Sequence, residues 1–412
     1  MVEVNATNFP NDSRIFSKQI IAKAFAVASP LAWFFVLVLN FEIFFQQVTN
    51  DKVWIFTGEV FFFVFGVLST ILGAYLSKSV NRRKLLLFSV STGVLSTLSL
   101  AIFQGNFFSP LLGSLLGFSY GIGFPSAGAL FCEKSETSSL GKRTGILVLI
   151  TFILIAVGTA FAQITAPLEL ITIALVLRAL GFLPLLGPNR QEKRKEENWS
   201  SILSRRDIVL YMLPWIIFNI VSGLSNFIYP DLMKDPDFLS AINFGNTTQF
   251  VGVAVFSLVS GYICDRFGRK PPIVVGTLMF GVSFAILGFA PSPLSIIFQE
   301  TVFGVAWGFL MVAYLAIPAD LSRKASREKY YGLINIFSFA GNSLTFPIPL
   351  ILGISVPVGI LSQSLSILLF VSIVPVLFAS ETLPEIERKK RLLREHLVRV
   401  EKEVAKSKRR KD

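Results

Sequence analysis

Long uncharged runs constrain the fold of this sequence more than any other feature. Charged residues make up only 16% of its 412 residues and are clustered, so runs of 20 or more residues are almost free of charge. A bilayer core of about 30 Å requires about 20 helical residues, each rising 1.5 Å. Each run therefore predicts a membrane-spanning helix, and an ordinary soluble protein is excluded.

Twelve such spans can be marked along the chain, six on each side of the long polar loop 188–207. We predict an all-α integral membrane protein with twelve transmembrane helices, in which 1–187 and 208–384 form two six-helix bundles. Residues 188–207 form a cytoplasmic central loop, and 385–412 form a basic amphipathic cytoplasmic tail. The predicted spans are 24–46, 53–76, 85–103, 108–131, 144–165, 168–187, 208–229, 240–263, 272–290, 293–318, 331–353 and 356–379.

The basic residues are sorted to one side of these spans, which we call the basic face. Of the 38 Lys and Arg residues, 35 lie in the N-terminal segment, the even-to-odd loops and the C-terminal tail. Because basic loops remain in the cytoplasm, we expect a multi-pass protein of the cell membrane with both termini cytoplasmic. The net charge of +12 is thus explained by topology, and we expect no nucleic-acid partner. The basic tail predicts contact with anionic membrane lipid, and a coiled-coil contact is the alternative.

The two halves resemble each other at a nearly constant offset. The spacing from Gly117 to Gly304 equals the spacing from Glu133 to Asp320, and we call it the repeat offset. Six spans are an even number, so both repeats enter the membrane from the same side and are parallel. Their symmetry axis then runs along the membrane normal, an arrangement that membrane transporters use.

The most specific motif is GYICDRFGRKP at 261–271, between the eighth and ninth predicted spans. It resembles the signature loop of the major facilitator superfamily, G-x-x-x-D-R-x-G-R-[RK]. Together with twelve spans and two halves, the resemblance covers residues from about 20 to 384. It implies the major facilitator fold and a cytoplasmic latch that breaks and re-forms as the halves rock.

The residues of this motif have distinct physical roles in such a latch. The first glycine permits close helix approach, and the second supplies a turn conformation. The acidic residue can face the positive N-terminus of a neighbouring helix, which the repeat places near the start of the fifth span. The predicted gating residues are Gly261, Asp265, Arg266, Gly268, Arg269 and Arg143.

The first-half copy of the motif, GAYLSKSVNRR at 73–83, departs from the pattern. Ser77 replaces the Asp, Val80 replaces the Gly, and Asn81 replaces the second Arg. The decay of this copy makes a symmetric pair of latches doubtful. The fragment SETLP at 380–384 resembles the exit sequence of sugar and organic-ion members, but it also serves as a plain helix stop.

Ionisable residues inside the predicted spans are candidates for coupling transport to an ion. A charge there is expensive, so it marks either an ion pair between helices or a functional group. The packing alternative is slightly favoured for the arginine. Because the single His lies in the tail, coupling to protons would need a carboxylate. The candidates are Glu42, Glu59, Arg178 and Glu300.

Amide side chains form helical stripes in the second half and predict a polar cavity there. Such stripes must face another helix or water, so interhelical contact is the alternative. Trp33, Trp215 and Trp307 could add stacking surfaces. The predicted substrate-binding residues are Asn40, Asn219, Asn226, Asn243, Asn246, Gln249, Asn335 and Asn342.

The resemblance and the span pattern together predict a secondary transporter that moves a small organic solute by alternating access. Proton-linked symport is favoured for two reasons. The Gly- and Pro-rich motif associated with drug–proton antiporters is absent from residues 146–163 of the fifth span, and buried carboxylates are available. Facilitated uniport and drug or metabolite efflux antiport remain open. We expect a monomer with a small-molecule substrate, and no metal or cofactor.

A membrane enzyme and a non-transporting receptor are the distant alternatives. Asp231, Asp235 and Asp237 in one outer loop are similar to an Asp-rich diphosphate–metal motif. Such chemistry requires two clusters, and the sequence offers one. We therefore expect no enzyme activity.

Overall fold

The structure is a computed structural model that describes most of the predicted membrane region. The predictions for Asn226, for residues 188–196 of the central loop and for most of the tail lie outside the described residues. The described residues are 18–133, 139–162, 166–186, 197–225, 227–323, 325–345, 357–383, 385, 393, 397 and 400.

Twelve long helices occupy this part of the chain, and they correspond one to one to the predicted spans. Short helices lie at Phe41–Phe45, Trp199–Leu203 and Tyr229–Leu232, and a 3₁₀ segment at Leu180–Leu186 continues the sixth long helix. The long helices are α1 (Lys18–Leu39), α2 (Lys52–Leu76), α3 (Arg82–Ile102), α4 (Phe108–Phe131), α5 (Leu140–Ala162), α6 (Pro167–Ala179), α7 (Arg206–Ser225), α8 (Pro236–Phe267), α9 (Lys270–Phe289), α10 (Pro293–Leu321), α11 (Arg327–Thr345) and α12 (Val358–Phe378).

Nine helices in the described ranges are long and apolar enough to cross a membrane by length and composition alone. The other three are α1, α4 and α11. The apolar part of α1 found there, Lys23–Leu39, is short, α4 is rich in Gly and Ser, and α11 begins with Arg327, Glu328 and Lys329. Small and polar residues lower the hydropathy of α4 and α11, which pack against other helices. The all-α membrane fold is confirmed.

Side-chain caps begin several of these helices. Asp51, Asn81 and Asp235 each accept a hydrogen bond from the backbone N–H two residues later, at 2.9, 3.0 and 2.9 Å. Ser292 and Ser295 bond each other's backbone N–H groups in a capping box. These bonds satisfy N–H groups that the first turn of a helix leaves without partners.

The first span ends earlier than the sequence predicted. Helix α1 stops at Leu39, and the Asn40 amide donates back to the Val36 carbonyl at 2.8 Å. The short helix Phe41–Phe45 then follows as a separate element. An amide that bonds its own backbone competes with helix continuation, which explains the break.

The internal repeat is confirmed at the level of helix contacts. A Cβ added to Gly117 on α4 would lie 2.0 Å from the Phe62 carbonyl oxygen on α2, and one on Gly304 of α10 would lie 2.2 Å from that of Gln249 on α8. The two glycines are related by the repeat offset, and so are their two partners. Glycine is needed at both sites because only its missing side chain permits this approach.

Two equivalent contacts join the halves, α5 against α8 and α2 against α11. A Cβ on Gly145 of α5 would lie 2.6 Å from the Ser257 carbonyl oxygen, and one on Gly332 of α11 would lie 3.7 Å from Thr70 Cγ2. The repeat offset relates these positions as well, so the parallel two-fold repeat holds across the interface.

The remaining helices flank this centre. Helices α3 and α6 pack on the first half, and α9 and α12 on the second. They present large apolar side chains outward, for example Leu95 at 63% and Ile367 at 64% exposure. Continuous apolar surface of this kind requires a membrane around it.

Candidate functional site

A cavity of about 230 Å³ lies between the two halves, lined by α1, α2 and α4 from one half and α7, α8, α10 and α11 from the other. Twelve of its 26 described lining residues are aromatic. On α1 and α7 the lining extends to the ends farthest from the basic face, at Leu39 and Ser225. The cavity therefore occupies the middle of the molecule and the half away from the basic face.

Four of the eight predicted substrate-binding amides line this cavity: Asn219, Asn246, Gln249 and Asn335. Asn219 donates to the Trp215 carbonyl of its own helix at 2.7 Å. Asn335 donates to Thr70 Oγ1 at 2.8 Å and so joins α11 to α2. Asn335 thus combines the two interpretations, since it lines the cavity and also bridges the halves.

The other four amides are not placed in the cavity lining. Asn40 directly follows α1, where its side-chain amide donates to the Val36 carbonyl of that helix. Asn243 is exposed, one turn farther out on α8 than Asn246. Helical spacing put Asn243 and Asn246 on one stripe, but the stripe runs past the cavity mouth. Asn226 and the side chain of Asn342 lie outside what the structure describes.

Glu300 is the one coupling candidate in the cavity lining. It is 3% exposed and accepts a short hydrogen bond from the Tyr229 hydroxyl. A Cβ on Gly245 of α8 would lie 2.9 Å from Glu300 Cβ and Cγ. The repeat offset relates Glu300 to Gly113, so a carboxylate stands in the second half where the first half has only a close helix contact.

The other coupling candidates lie elsewhere. Glu42 is exposed on the short helix Phe41–Phe45, and Glu59 is half-buried on α2, near enough to Glu42 for their charges to repel. Arg178 on α6 is 1% exposed. Its Nη2 donates at 2.9 Å to the Ser89 and Ser119 carbonyls, and its guanidinium lies 4.9 Å from the Trp33 ring centre. These contacts support a packing role for Arg178.

Asp265 forms the principal polar contact between the halves at the basic face. Its two carboxylate oxygens accept from the backbone N–H groups of Gly141 at 2.7 Å and Lys142 at 3.0 Å, the start of α5. A Cβ on Gly261 would lie 2.6 Å from the Gly141 carbonyl oxygen. The carboxylate therefore meets the positive end of a helix dipole, and the glycine permits the approach.

Arg269 holds this carboxylate from its own half. Its Nη1 lies 3.3 Å from Asp265 Oδ1, and its Nε donates to Asp320 Oδ2 at 2.7 Å. Burial by itself would lower the pKa of Arg269, but Asp320, the Cys264 thiol and Asp265 together raise it above its usual value. The guanidinium therefore stays charged although it is fully buried.

Glu381, from the SETLP fragment, completes the cluster and was missed by sequence reasoning. Its carboxylate accepts from the backbone N–H groups of Arg269 at 2.7 Å and Lys270 at 3.3 Å. Gly268 has φ of 112°, and a Cβ there would lie 2.2 Å from Glu381 Oε2. The fragment is thus more than a helix stop, because it binds the motif loop.

Two predicted gating residues differ from expectation. Arg143 is not paired with Asp265 in the described structure, and its Nε has no hydrogen-bond partner. The backbone at the start of α5 supplies the contact, since the helix terminus reaches the carboxylate before the Arg143 side chain does. Arg266 interacts with Tyr262 and Phe267, neighbours on its own helix.

The first half replaces the missing latch with an ion-pair cluster that sequence reasoning did not find. Ser77 bonds the Ala74 carbonyl of its own helix at 2.8 Å. Arg82 instead pairs with Glu133 at 3.6 Å and with Glu328 of α11. The repeat offset relates Arg82 and Glu133 to Arg269 and Asp320, which is the signal that could have revealed the pair. The site was overlooked because the motif alignment matched Asn81 to Arg269.

Comparisons with known sequences identify relatives of the whole chain and of its parts. The family profile of the Major Facilitator Superfamily matches residues 24–238 and 216–410. The vacuolar membrane amino acid uptake transporter fnx2 of Schizosaccharomyces pombe is 23% identical over 167 residues, 39% of this chain and 28% of that protein. Multidrug resistance protein 2 of Bacillus subtilis is 30% identical over 107 residues, 24% of this chain and 27% of that protein. The alignments span about a quarter of the length of these curated relatives.

Among solved structures, the proton:xylose symporter XylE bound to 6-bromo-6-deoxy-D-glucose superimposes with a TM-score of 0.71. The match covers 90% of this chain and 97% of that one at 14% sequence identity. At this identity the similarity establishes the shared fold.

Proposed function

The chain belongs to the major facilitator superfamily, and from this premise we propose that it is a secondary transporter that moves a small organic solute by alternating access. The observation that carries the proposal is a cavity between two repeated halves, beyond which the basic face is closed by contacts that cross from one half to the other. Such contacts must break if the halves rock and open the cavity to the basic face.

The distribution of basic residues supports a cytoplasmic basic face and a cell-membrane location. In this orientation the cavity lies toward the outside, and the Asp265 contact belongs to the state closed on the cytoplasmic side. We propose Asp265, Arg269 and the α5 terminus as the principal gate, with Arg82 and Glu328 as its counterpart in the other helix pair.

Glu300 is the proposed coupling group, because it is the one Asp, Glu, Lys, Arg or His among the described lining residues. A carboxylate in a site with little water can gain and lose a proton as access alternates. With one carboxylate, a neutral solute can accompany a proton as in symport, whereas a cationic solute would replace the proton as in antiport. Antiport is the second candidate, because a cationic solute could replace the proton on the lining carboxylate.

Transport by the purified protein in liposomes tests this function. Uptake of labelled sugars, amino acids, carboxylates and amines is compared with that into protein-free liposomes, with and without a proton gradient. We expect uptake of at least one solute, without chemical conversion, that falls when a protonophore collapses the gradient. Product formation would indicate an enzyme, and uptake that ignores the gradient would indicate uniport.

The Glu300→Gln variant tests the coupling group. We expect it to fold, as judged by its melting temperature, and to lose gradient-driven uptake. Glu59→Gln is the matched control, because it also neutralises a carboxylate within a span but lies outside the described lining. Full gradient-driven uptake by Glu300→Gln would return Glu300 to a packing role.

A further inference from the structure

The charge of the cavity restricts what it can bind. Among the lining residues that the structure describes, Glu300 carries the one formal charge, and no Lys, Arg or His accompanies it. None of the ion pairs found between described residues involves Glu300. Arg178 of α6 is not its partner, because it donates to backbone carbonyls of α3 and α4. Among the described residues, the ionised carboxylate therefore has no counter-ion, a costly arrangement in a buried site.

The surroundings of this carboxylate are built to keep it in place. Tyr229 donates its hydroxyl hydrogen to Glu300, and the Cβ and Cγ of Glu300 pack against Gly245, so little space remains on the α8 side. Behind them, the fully buried Gln299 amide has Nε2 without a hydrogen-bond partner. The carboxylate is held at the cavity wall, and one described residue, Tyr229, donates a hydrogen bond to it.

Aromatic rings continue from Glu300 along the same face of α10. Phe303 and Trp307 stand three and seven residues farther on, and their rings stack in parallel with centroids 5.5 Å apart and planes 6° apart. Phe280 stacks on the other side of Phe303 at 4.5 Å. These stacked rings give the cavity an apolar wall beside Glu300, which can pack against the apolar body of a ligand.

We propose that the cavity binds a small monovalent organic cation, an amine or quaternary ammonium group on an apolar body, with Glu300 as its counter-ion and the Phe303–Trp307 stack beneath the apolar part. A cation supplies the positive charge that would balance the Glu300 carboxylate, whereas an anion is repelled by that carboxylate. The inference deepens the proposed function, since it takes this cavity as the solute site. Cation and proton then compete for one carboxylate, so for a cationic solute antiport replaces symport as the first candidate.

A binding experiment tests this inference independently of transport. Equilibrium binding to the purified full-length protein in detergent is measured by ligand-detected NMR at neutral pH. The probes are benzylamine, benzyl alcohol and benzoate, which share a ring and similar size but carry charges of about +1, 0 and −1. We expect benzylamine to bind at least 10-fold more tightly than benzyl alcohol, about 1.4 kcal/mol, and benzoate to bind most weakly. Equal affinities, or a preference for benzoate, would overturn the inference.

Three variants assign the preference to its source. Glu300→Gln should bind benzylamine and benzyl alcohol about equally, Glu300→Asp should keep part of the preference, and Glu59→Gln should keep all of it. A preference that survives in Glu300→Gln contradicts the proposed counter-ion. If Glu300→Gln binds none of the probes, Glu300→Asp decides, because loss of the preference there also contradicts it.

Failure of this inference and failure of the proposed function give different results. A protein that binds benzylamine through Glu300 but moves no solute into liposomes would refute transport and leave the binding site. Uptake of a sugar or carboxylate by a protein without any preference for cations would support transport and refute the cation site.

Discussion

Replacing Asp265 by Asn removes the charge from the contact between α8 and the start of α5. In the closed basic face, both carboxylate oxygens accept backbone N–H groups, from Gly141 and Lys142. Asn offers one oxygen and one NH₂ group, so one of these donors would face another donor. The side-chain volume is nearly unchanged, and Arg269 keeps its pair with Asp320, so we expect the protein to fold.

The magnitude follows from the type of bond that is lost. A carboxylate at a partly buried helix N-terminus contributes up to about 2 kcal/mol, and hydrogen bonds to charged groups contribute about 1.5–3 kcal/mol. In the proposed alternating-access mechanism, the contact between α5 and α8 breaks when the basic face opens, so its loss acts on the balance between states. A change of about 2 kcal/mol shifts that balance about 30-fold toward the state open at the basic face.

Double electron–electron resonance between spin labels on Arg143 of α5 and Phe267 of α8 measures this shift. We expect a longer-distance population in Asp265→Asn and slower turnover in liposomes. Ser77→Ala is the matched control, because the Ser77 hydroxyl bonds within its own helix, and we expect it to resemble the unmodified protein. Unchanged distances together with unchanged transport in Asp265→Asn would refute the latch and leave the motif as a determinant of topology.

Two further substitutions test the close approach of α8 to α5 and the buried Arg178 guanidinium. Gly261→Ala places a Cβ 2.6 Å from the Gly141 carbonyl oxygen, so we expect the same spin-label pair to show a more open basic face while the melting temperature changes little. An unaltered distance distribution would show that the helices can adjust. Arg178→Ala leaves carbonyls of α3 and α4 without their donor and opens a cavity, which costs about 2–5 kcal/mol of folding stability. We therefore expect a lower melting temperature in detergent. A stable variant that is defective only in transport would instead support a coupling role.

The sequence by itself determined the class of fold and the order of its helices. Twelve spans follow from the length of helix that a bilayer requires, and this constraint acts on each segment separately. The internal repeat also follows from the sequence, because close helix contacts need small residues at equivalent places, as at Gly117 and Gly304. The motif at 261–271 was also recognisable from the sequence, because its glycines and charged residues lie close together along the chain.

Only the tertiary structure decided which polar residues meet. Helical spacing placed Asn243 and Asn246 on one stripe, and both are exposed, but Asn246 lines the cavity and Asn243 does not. The packing of the helices also brings Arg82 to Glu328, 246 positions away in the chain. It places Asp265 against the backbone at the start of α5, and not against the Arg143 side chain. Spacing along one helix defines a face, but the neighbour of that face depends on how the helices of both halves pack together.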